Sequence, residues 1–446
     1  MTLRFGTDGV RGPADELDDR LVEALGRAAA QVLGGADGFV IGRDTRRSGP
    51  RLEAALARGL TAGGAEVRFL GVAPTPAVAW SAADRGIPGA VISASHNPWR
   101  DNGIKFFAAG GRKLSDQIEA RLEAALDANL DLSSPPAPPP VGTVDLALDL
   151  ALDLVAAWSG AVEASIEGRR LDGLRVVVDC ANGAASAVAR PLLAALGAEV
   201  EVLAGDPDGK NINDGCGSTH PEALQARVLE TGAHVGLAFD GDADRLLAVD
   251  EQGGLVDGDQ LIALFALDRR ARGLLVDAHV VVTVMTNLGF RLAMADAGIV
   301  VIDTPVGDRH VLEALASGGW SLGGEQSGHI VFADLATTGD GLLSAVQLLD
   351  LVRRSGRPLS GLAATAMTRL PQVLVNVVVG ERHPGLVEAL ADVVEVEERR
   401  LGPRGRVLIR PSGTEPLVRV MVEAETEATA REVAERLADA VRARCA

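Results

Sequence analysis

The stretch FVIGRDTRRSGPRLEAALARGLTAGGAEVRF (Phe39–Phe69) decides the fold. Phe39–Gly42 is a short apolar run bounded by a polar turn and reads as a buried strand. Leu52–Gly64 then gives roughly four helical turns ending on glycines, which suit the left-handed cap of a helix. Ala65–Phe69 reads as a second strand. That order favours parallel pairing, because a parallel partner is reached only through a crossover of this kind. The pattern recurs as Arg175–Val178, AVARPLLAALG and Ala198–Val200, and again as Val280–Val284, GFRLAMADAG and Ile299–Val301. Spacings of roughly 100–140 residues are too wide for a solenoid. The expected architecture is therefore α/β, with three similar domains in tandem built on mixed or parallel sheets.

The tail breaks the pattern. Val373–Val379, Gly405–Ile409 and Leu417–Glu423 read as strands, and Leu386–Val393 and Ala428–Val441 as helices, which predicts a smaller C-terminal α+β domain. The expected divisions are 1–150, 151–250, 251–366 and 367–446. Ser133–Pro140 (SSPPAPPP) reads as a stiff, extended linker. After it, VDLALDLALDLV places Asp145, Asp149 and Asp153 on one solvated face of a predicted helix, in which the first boundary falls.

A chain of 446 residues is long enough for roughly three or four domains. Its 47% hydrophobic and 23% charged content is that of a globular protein. The net charge of −18 repels nucleic acid and anionic membrane surfaces, so neither is an expected partner. A phosphorylated ligand would have to be held by local cations, backbone N–H groups or a metal against that field. Cys180, Cys216 and Cys445 form no CxxC pair, the opening MTLRFGTDG has no apolar run so that no signal peptide is expected, and no run approaches the roughly 18 apolar residues of a membrane span. A reducing, cytoplasmic setting is expected. Only three of the 43 basic side chains are lysines (Lys105, Lys113 and Lys210), and tyrosine is absent. This skew fits a base-composition bias and raises the question of why those three were kept. Lys113 reads as a surface residue; nothing in the sequence assigns a role to Lys210.

Four short motifs carry chemistry. Asp240, Asp242 and Asp244 alternate in a Gly-containing turn after the apolar Val235–Phe239, a pattern that can converge on a hard divalent cation. Glu251 stands where a twelve-residue calcium loop would place its last ligand. However, Arg245 occupies the position where that loop needs glycine, and the flanks read as strands, so Mg²⁺ suits the motif better than Ca²⁺. Ser95 and His96, in SASHNP after Gly89–Ile92, offer a hydroxyl nucleophile with a polar neighbour at the end of a strand, where α/β sheets bind ligands. RPSGTEP (Arg410–Pro416) is a donor-rich loop beside a guanidinium, with Arg419 on the next strand, and suits an anion. GGEQSGH packs Glu325, Ser327 and His329 into a Gly-rich bend able to hydrogen-bond sugar hydroxyls. Each motif could also be an ordinary polar turn. Their joint occurrence, one per expected domain, argues otherwise.

FGTDGVRG (Phe5–Gly12), GRDTR, SASHNP, DNGIKFF (Asp101–Phe107), DGDADR, VGDR (Val306–Arg309), GEQSGH and RPSGTEP follow one another in the order of a known family. The chain resembles the phosphoglucosamine mutases of the α-D-phosphohexomutase superfamily over nearly its whole length, with GEQSGH as the discriminating motif. The resemblance implies four domains around a central cleft and a mutase interconverting glucosamine 6-phosphate and glucosamine 1-phosphate through a bisphosphate, for UDP-N-acetylglucosamine and cell-wall synthesis. It implies phosphorylation on Ser95, whose phosphate would complete a site for one Mg²⁺ with Asp240, Asp242 and Asp244. Glu325, Ser327 and His329 would contact the sugar, while Arg410, Ser412, Gly413, Thr414 and Arg419 would hold the phosphate not being transferred. Arg11 and Arg245 would stabilise the moving phosphoryl group, and Lys105 would handle the proton with His96 and His329 in support. Lys105 fits because an arginine could bind phosphate but could hardly shuttle a proton. A sugar 1,6-bisphosphate would serve as activator, and a homodimer is the family's expectation. Pro305 stands where relatives commonly have lysine; if that lysine binds phosphate, the task falls here to Arg309 or is lost, which leaves the role of 304–310 open. The alternatives are a sibling phosphomannomutase or phosphoglucomutase, a phosphatase, or a catalytically silent sugar-phosphate-binding protein.

Overall fold

The computed structural model describes residues 9–35, 37–131, 144–145, 148–380, 385–411 and 417–445. They form two compact units: one of residues up to Val284 together with Ile302–Ala363, the other of Met285–Val301 and Ala364–Ala446. Among the described residues no helix is long and apolar enough to cross a membrane.

The first unit contains two complete mixed sheets and most of a third. The first sheet runs Val10–Pro13, Asp101–Phe107, Gly89–Ile92, Phe39–Arg43, Val67–Val72 and Val144–Asp145. Phe39–Arg43 pairs in parallel with both Val67–Val72 and Gly89–Ile92, as the strand–helix–strand reading requires. The strand Asp101–Phe107 returns antiparallel beside Gly89–Ile92, which brings Lys105 opposite Val91. The second sheet runs Leu255–Val256, Leu246–Asp250, Val235–Phe239, Arg175–Asp179 and Glu199–Leu203. Here too the expected parallel pair, Arg175–Asp179 with Glu199–Leu203, is present. The third sheet comprises Ile302–Thr304 (the part of strand Val300–Thr304 in this unit), His279–Thr283, Leu322–Gly324 and Ile330–Phe332.

Helices Asp19–Leu33 and Gly49–Ala62 cross at unusually short range through two glycines. A Cβ on Gly59 would lie 2.1 Å from the Glu23 carbonyl oxygen, and one on Gly26 would lie 2.5 Å from that of Leu56. The close crossing lets the alanine-rich faces of both helices seal the first core, where Leu25, Ala28, Ala29, Leu52, Ala55 and Leu56 are inaccessible or nearly so.

The acidic segment differs from expectation. Val144–Asp145 is a two-residue strand paired with Val67–Arg68, and the helix begins only at Leu148 and continues to Ala164. Asp145, Asp149 and Asp153 therefore do not share a helix face. The helix is recruited by burial: Leu154, Trp158 and Val162 are almost fully buried, and the Trp158 Nε1–H donates to Asp340 Oδ2 at 3.0 Å. It runs unbroken through residue 150. The linker Ser133–Pro140 lies outside the described residues.

The second unit holds an antiparallel sheet ordered Gln372–Val378, Leu417–Glu423, Arg406–Pro411, covered by the helix Glu427–Cys445. The expected single helix at Leu386–Val393 is two, Leu386–Ala389 and Ala391–Leu401. The helix of the third repeat, Leu288–Asp296, also belongs here. Its N-cap Asn287 donates to the Leu370 carbonyl and to Glu423, while Glu423 accepts from the Leu288 N–H and pairs with Arg406 at 2.9 Å. One buried carboxylate thus ties the helix start to the tail sheet.

The glycine crossing has a measurable consequence. Gly59→Ala should cost roughly 1–3 kcal/mol by overpacking and lower the melting temperature. Gly160→Ala, on a helix face with nothing within 4 Å, should hold or raise it. Equal melting of the two variants would contradict the close-crossing account.

Candidate active site

Asp240–Arg245 is the tight connection between antiparallel strands Val235–Phe239 and Leu246–Asp250, so its carboxylates are forced to turn inward together. One oxygen from each of Asp240, Asp242 and Asp244 lies within 4.8 Å of the others, and all three residues are buried. At that separation two ionised carboxylates repel by about 3–4 kcal/mol at an effective dielectric near 20. Burial and the neighbouring Asp244 and Asp242 charges push Asp240 well above the ordinary carboxylate range. Burial would raise Asp244 as well, but the Lys105 charge, a His329 contact and Arg245 hold it well below that range. The Oδ1 atoms of both Asp242 and Asp244 are buried without a hydrogen-bond partner. A cluster of hard, inward-facing oxygens with unused lone pairs fits Mg²⁺. Glu251 takes no part: its side chain accepts from the Ser360 N–H at 3.2 Å and from the Ser360 hydroxyl.

Ser95 meets this cluster directly. Its Oγ–H donates to Asp240 Oδ2 at 2.6 Å, although the two residues are 145 positions apart. Ser95 is buried and adopts φ 52°, a left-handed conformation that serine rarely takes. The turn is braced from below: the Ser93 hydroxyl donates to Asp44, and Ser93 Oγ accepts from the Ser95 N–H at 2.9 Å. Gly241 is required by proximity, since a Cβ there would lie 2.6 Å from the Ser95 carbonyl oxygen.

The cations are arranged around the carboxylates. Lys105 Nζ donates to Asp242 Oδ2 at 3.1 Å and stands 3.7 Å from Asp244 Oδ2. The Thr75 hydroxyl donates to the same Asp242 oxygen at 2.7 Å. Arg245 turns its backbone N–H onto Asp240 Oδ1 at 3.2 Å. Its guanidinium Nε has no hydrogen-bond partner and lies 3.8 Å from Asp244. His96 Nδ1 is 3.3 Å from Ser95 Oγ. Burial, then the charges of Arg245 and Arg11, lower its pKa to about 4. His96 is therefore a neutral imidazole near neutral pH, able to accept or donate a hydrogen bond but not to serve as a standing acid.

The third loop is bound to the second. His329 places Nδ1 3.7 Å from Asp244 and Nε2 3.5 Å from Asp308, and the Gly339 N–H reaches Nε2 at 3.2 Å. Burial opposes protonation, yet the Asp244 and Asp308 carboxylates raise its pKa. Glu325 Oε1 accepts from the Gly307 N–H at 3.0 Å, and the buried Ser327 hydroxyl has no partner. Two sequence expectations change here. Lys113 is not a free surface residue: it is partly buried and ion-paired with Asp308, 195 positions away. Arg309 is spent on Glu119 at 2.9 Å, Asp116 at 2.7 Å and the Leu114 carbonyl at 2.7 Å, so it cannot replace a phosphate-binding lysine at Pro305. The 304–310 loop instead supports Glu325 and His329.

In the second unit, Arg410 and Arg419 are direct cross-strand partners. Like charges in such a pair are unfavourable unless an anion lies between or above them. Ser412, Gly413 and Thr414 lie outside the described residues. Sequence reading missed Thr75, Asp308, Arg46 and Asn213; Arg46 stands within GRDTR and Asn213 three residues past Lys210, but nothing local signals what they touch.

The chain matches four family models: phosphoglucomutase/phosphomannomutase alpha/beta/alpha domain I at residues 2–132, domain II at 154–254, domain III at 257–370, and the C-terminal domain at 374–440. It is 53% identical to the phosphoglucosamine mutase of Frankia alni, covering 99% of both chains. Its identity to that of Moorella thermoacetica is also 53%, over 95% of each. Among solved structures, a phosphoglucomutase/phosphomannomutase family protein of Burkholderia thailandensis superposes with a TM-score of 0.79 at 27% identity, covering 98% of this chain and 97% of that one. The N-acetylphosphoglucosamine mutase of Aspergillus fumigatus, solved with GlcNAc-6P and magnesium, shares the fold, with a TM-score of 0.68 at 21% identity over 99% and 96%.

In the metal-free, unphosphorylated protein the His96 imidazole should show no NMR titration between pH 8 and 5.5. Its folded pKa lies below the unfolded value of about 6.5, so its contribution to stability is present above that pH and lost as pH falls toward about 4. An ordinary midpoint near 6.5 would contradict the burial and the Arg11–Arg245 field described above.

Proposed function

This chain belongs to the phosphoglucomutase/phosphomannomutase family, and from that premise we propose that it interconverts glucosamine 6-phosphate and glucosamine 1-phosphate, with Ser95 as the phosphoryl carrier. The observation that carries the reading is the 2.6 Å contact between Ser95 Oγ and Asp240 inside a buried carboxylate cluster. The choice of an amino sugar rests on the full-length relatives at 53% identity.

Asp240, Asp242 and Asp244 would hold Mg²⁺, with a phosphate oxygen on Ser95 as a further ligand. When bound, the ion neutralises charge on the phosphoryl group in transit. The chain's own residues do the rest. Phosphoserine 95 faces a sugar hydroxyl; a bond forms from that oxygen to phosphorus as the bond from phosphorus to Ser95 Oγ breaks. The net proton movement is from the sugar oxygen to Ser95 Oγ, by way of Lys105. In the second half the bisphosphate presents its other phosphate, Ser95 Oγ attacks it, and the proton returns. Arg11 and Arg245 would stabilise the transferring group. Glu325, Ser327 and His329 would grip the sugar. Arg410 and Arg419, with Ser412, Gly413 and Thr414, would hold whichever phosphate is idle. His96, 3.3 Å from Ser95 Oγ, would support the transfer as a hydrogen-bond partner, with Lys105 as the principal proton carrier. Water must be kept from the phosphoserine, since hydrolysis would turn a mutase into a phosphatase.

Mutase turnover on glucosamine, glucose and mannose phosphates, measured side by side with Mg²⁺ and a trace of sugar bisphosphate, tests the proposal. Glucosamine phosphate should be turned over fastest, Ser95→Ala should abolish turnover, and Lys105→Arg should keep KM but lower kcat by about 10²–10⁴-fold, the usual worth of a proton-transfer group. Preference for mannose or glucose phosphate would replace the amino-sugar reading, and near-normal kcat in Lys105→Arg would remove its proton role.

A further inference from the structure

The carbonyl oxygens of the Ser95 turn are held from two directions. From below, fully buried Arg46 donates Nη2 to the carbonyls of Ser95 and Asn97, both at 2.8 Å, and Nη1 to those of Asp101 (3.0 Å) and Pro98. From the other side comes Asn213, on the segment that follows the second domain's strand Glu199–Leu203. Its Nδ2 donates to the same two carbonyls, Ser95 at 2.8 Å and Asn97 at 3.1 Å. Two carbonyl acceptors fix which end of the amide faces the turn, because an amide oxygen there would meet only oxygens.

Asn213 is itself built for this reach. It is buried, adopts φ 57°, and donates its backbone N–H to the Ala181 carbonyl at 2.9 Å. A left-handed backbone is tolerated by asparagine far better than by most residues. The same segment docks on the Ser95 side of the molecule twice more. The Arg47 N–H donates to the Gly209 carbonyl at 2.8 Å, and Lys210 Nζ lies 5.7 Å from the centre of the Trp99 ring. Asn213 also contacts the metal loop, since a Cβ on Gly241 would fall 2.9 Å from Asn213 Nδ2 and 2.6 Å from the Ser95 carbonyl oxygen. The nucleophile's turn, the carboxylate loop and the Asn213 amide thus meet at one point.

We propose that Asn213 is a positioning residue for phosphoryl transfer: its amide fixes the carbonyls of Ser95 and Asn97, and so aims Ser95 Oγ at the metal-binding carboxylates. Arg46 holds the turn to its own domain, whereas Asn213 sets the turn against the domain that carries the aspartates. Loss of the Asn213 donors leaves the turn folded but free to shift relative to Asp240, and a displacement on the order of 1 Å at a reacting atom can cost about 10²-fold in rate. The proposal rests on the reading of Ser95 as the phosphoryl carrier.

The test is kcat and KM for glucosamine 6-phosphate in Asn213→Gly, which keeps the left-handed backbone and removes only the amide. The single-turnover rate of label transfer from phosphoserine 95 to the sugar is measured alongside. A fall in kcat and in transfer rate of about 10²-fold, with KM within twofold and the melting temperature little changed, is the expected result. Asn213→Asp tolerates the same backbone but turns a carboxylate toward two carbonyls, and should lose more rate than the glycine variant. Transfer within twofold of wild type in Asn213→Gly overturns the proposal, as does a loss of melting temperature with transfer intact below it. If Asn213→Gly does not fold, Asn213→Asp decides: transfer at the wild-type rate in that variant overturns the proposal. Ser95→Ala is assayed in parallel. Turnover surviving in Ser95→Ala defeats the carrier reading itself, whereas its loss beside a normal Asn213→Gly defeats only the positioning role.

Discussion

Three carboxylates that cannot escape one another are the interaction on which the rest of the site depends. The short connection at Asp240–Arg245 holds them within 4.8 Å, out of water, and burial multiplies their repulsion. Lys105, His329 and Arg245 are drawn onto them, and the Thr75 hydroxyl is spent on Asp242. Lys105 comes from the strand Asp101–Phe107, Thr75 from the start of the helix Thr75–Arg85 and His329 from the bend before Ile330–Phe332, while Arg245 closes the carboxylate connection itself. The cluster therefore selects the geometry of its surroundings and leaves two oxygens for a divalent cation. In a chain of net charge −18, the proposed function needs local cations and a bound ion to reverse the field at this one point.

Behind the carboxylates, one buried arginine and one buried amide bind carbonyl oxygens. Arg46 and Asn213 together give the Ser95 and Asn97 carbonyls two donors each, which offsets the strain of a left-handed serine. The three lysines retained in an arginine-rich chain also find places. Lys105 is the ammonium at the carboxylates, Lys113 pairs with Asp308 behind His329, and Lys210 lies over Trp99 beside the Ser95 turn. Only for the first does the chemistry of lysine differ from that of arginine in a way the proposed reaction uses.

Contiguous features were legible in the sequence. The strand–helix–strand periodicity of Phe39–Phe69 and the alternate aspartates of 240–244 are local signals, and both stand in the structure as read. Pairings that join distant segments were not legible. Nothing near Lys113 announces Asp308, nothing near Asn213 announces Ser95, and Arg309 reads as a free cation until Glu119 and Asp116 are seen beside it. The acidic segment failed for a related reason. A period of four in Asp145–Asp153 suggests one helix face, but pairing of Val144–Asp145 with Val67–Arg68 outweighs that local preference. The helix Leu288–Asp296 forms where the sequence reads as one, but the buried carboxylate 135 positions away that holds its first turn has no local signal.

Anomalous diffraction from crystals of the Ser95-phosphorylated protein soaked in Mn²⁺, as a substitute for Mg²⁺, tests the central claim most directly. The account predicts one strong peak enclosed by oxygens of Asp240, Asp242, Asp244 and the Ser95 phosphate, with the Lys105 ammonium displaced from the carboxylates. A carboxylate cluster that stays without manganese while Lys105 remains bound to Asp242, or manganese held elsewhere in the molecule, would contradict it.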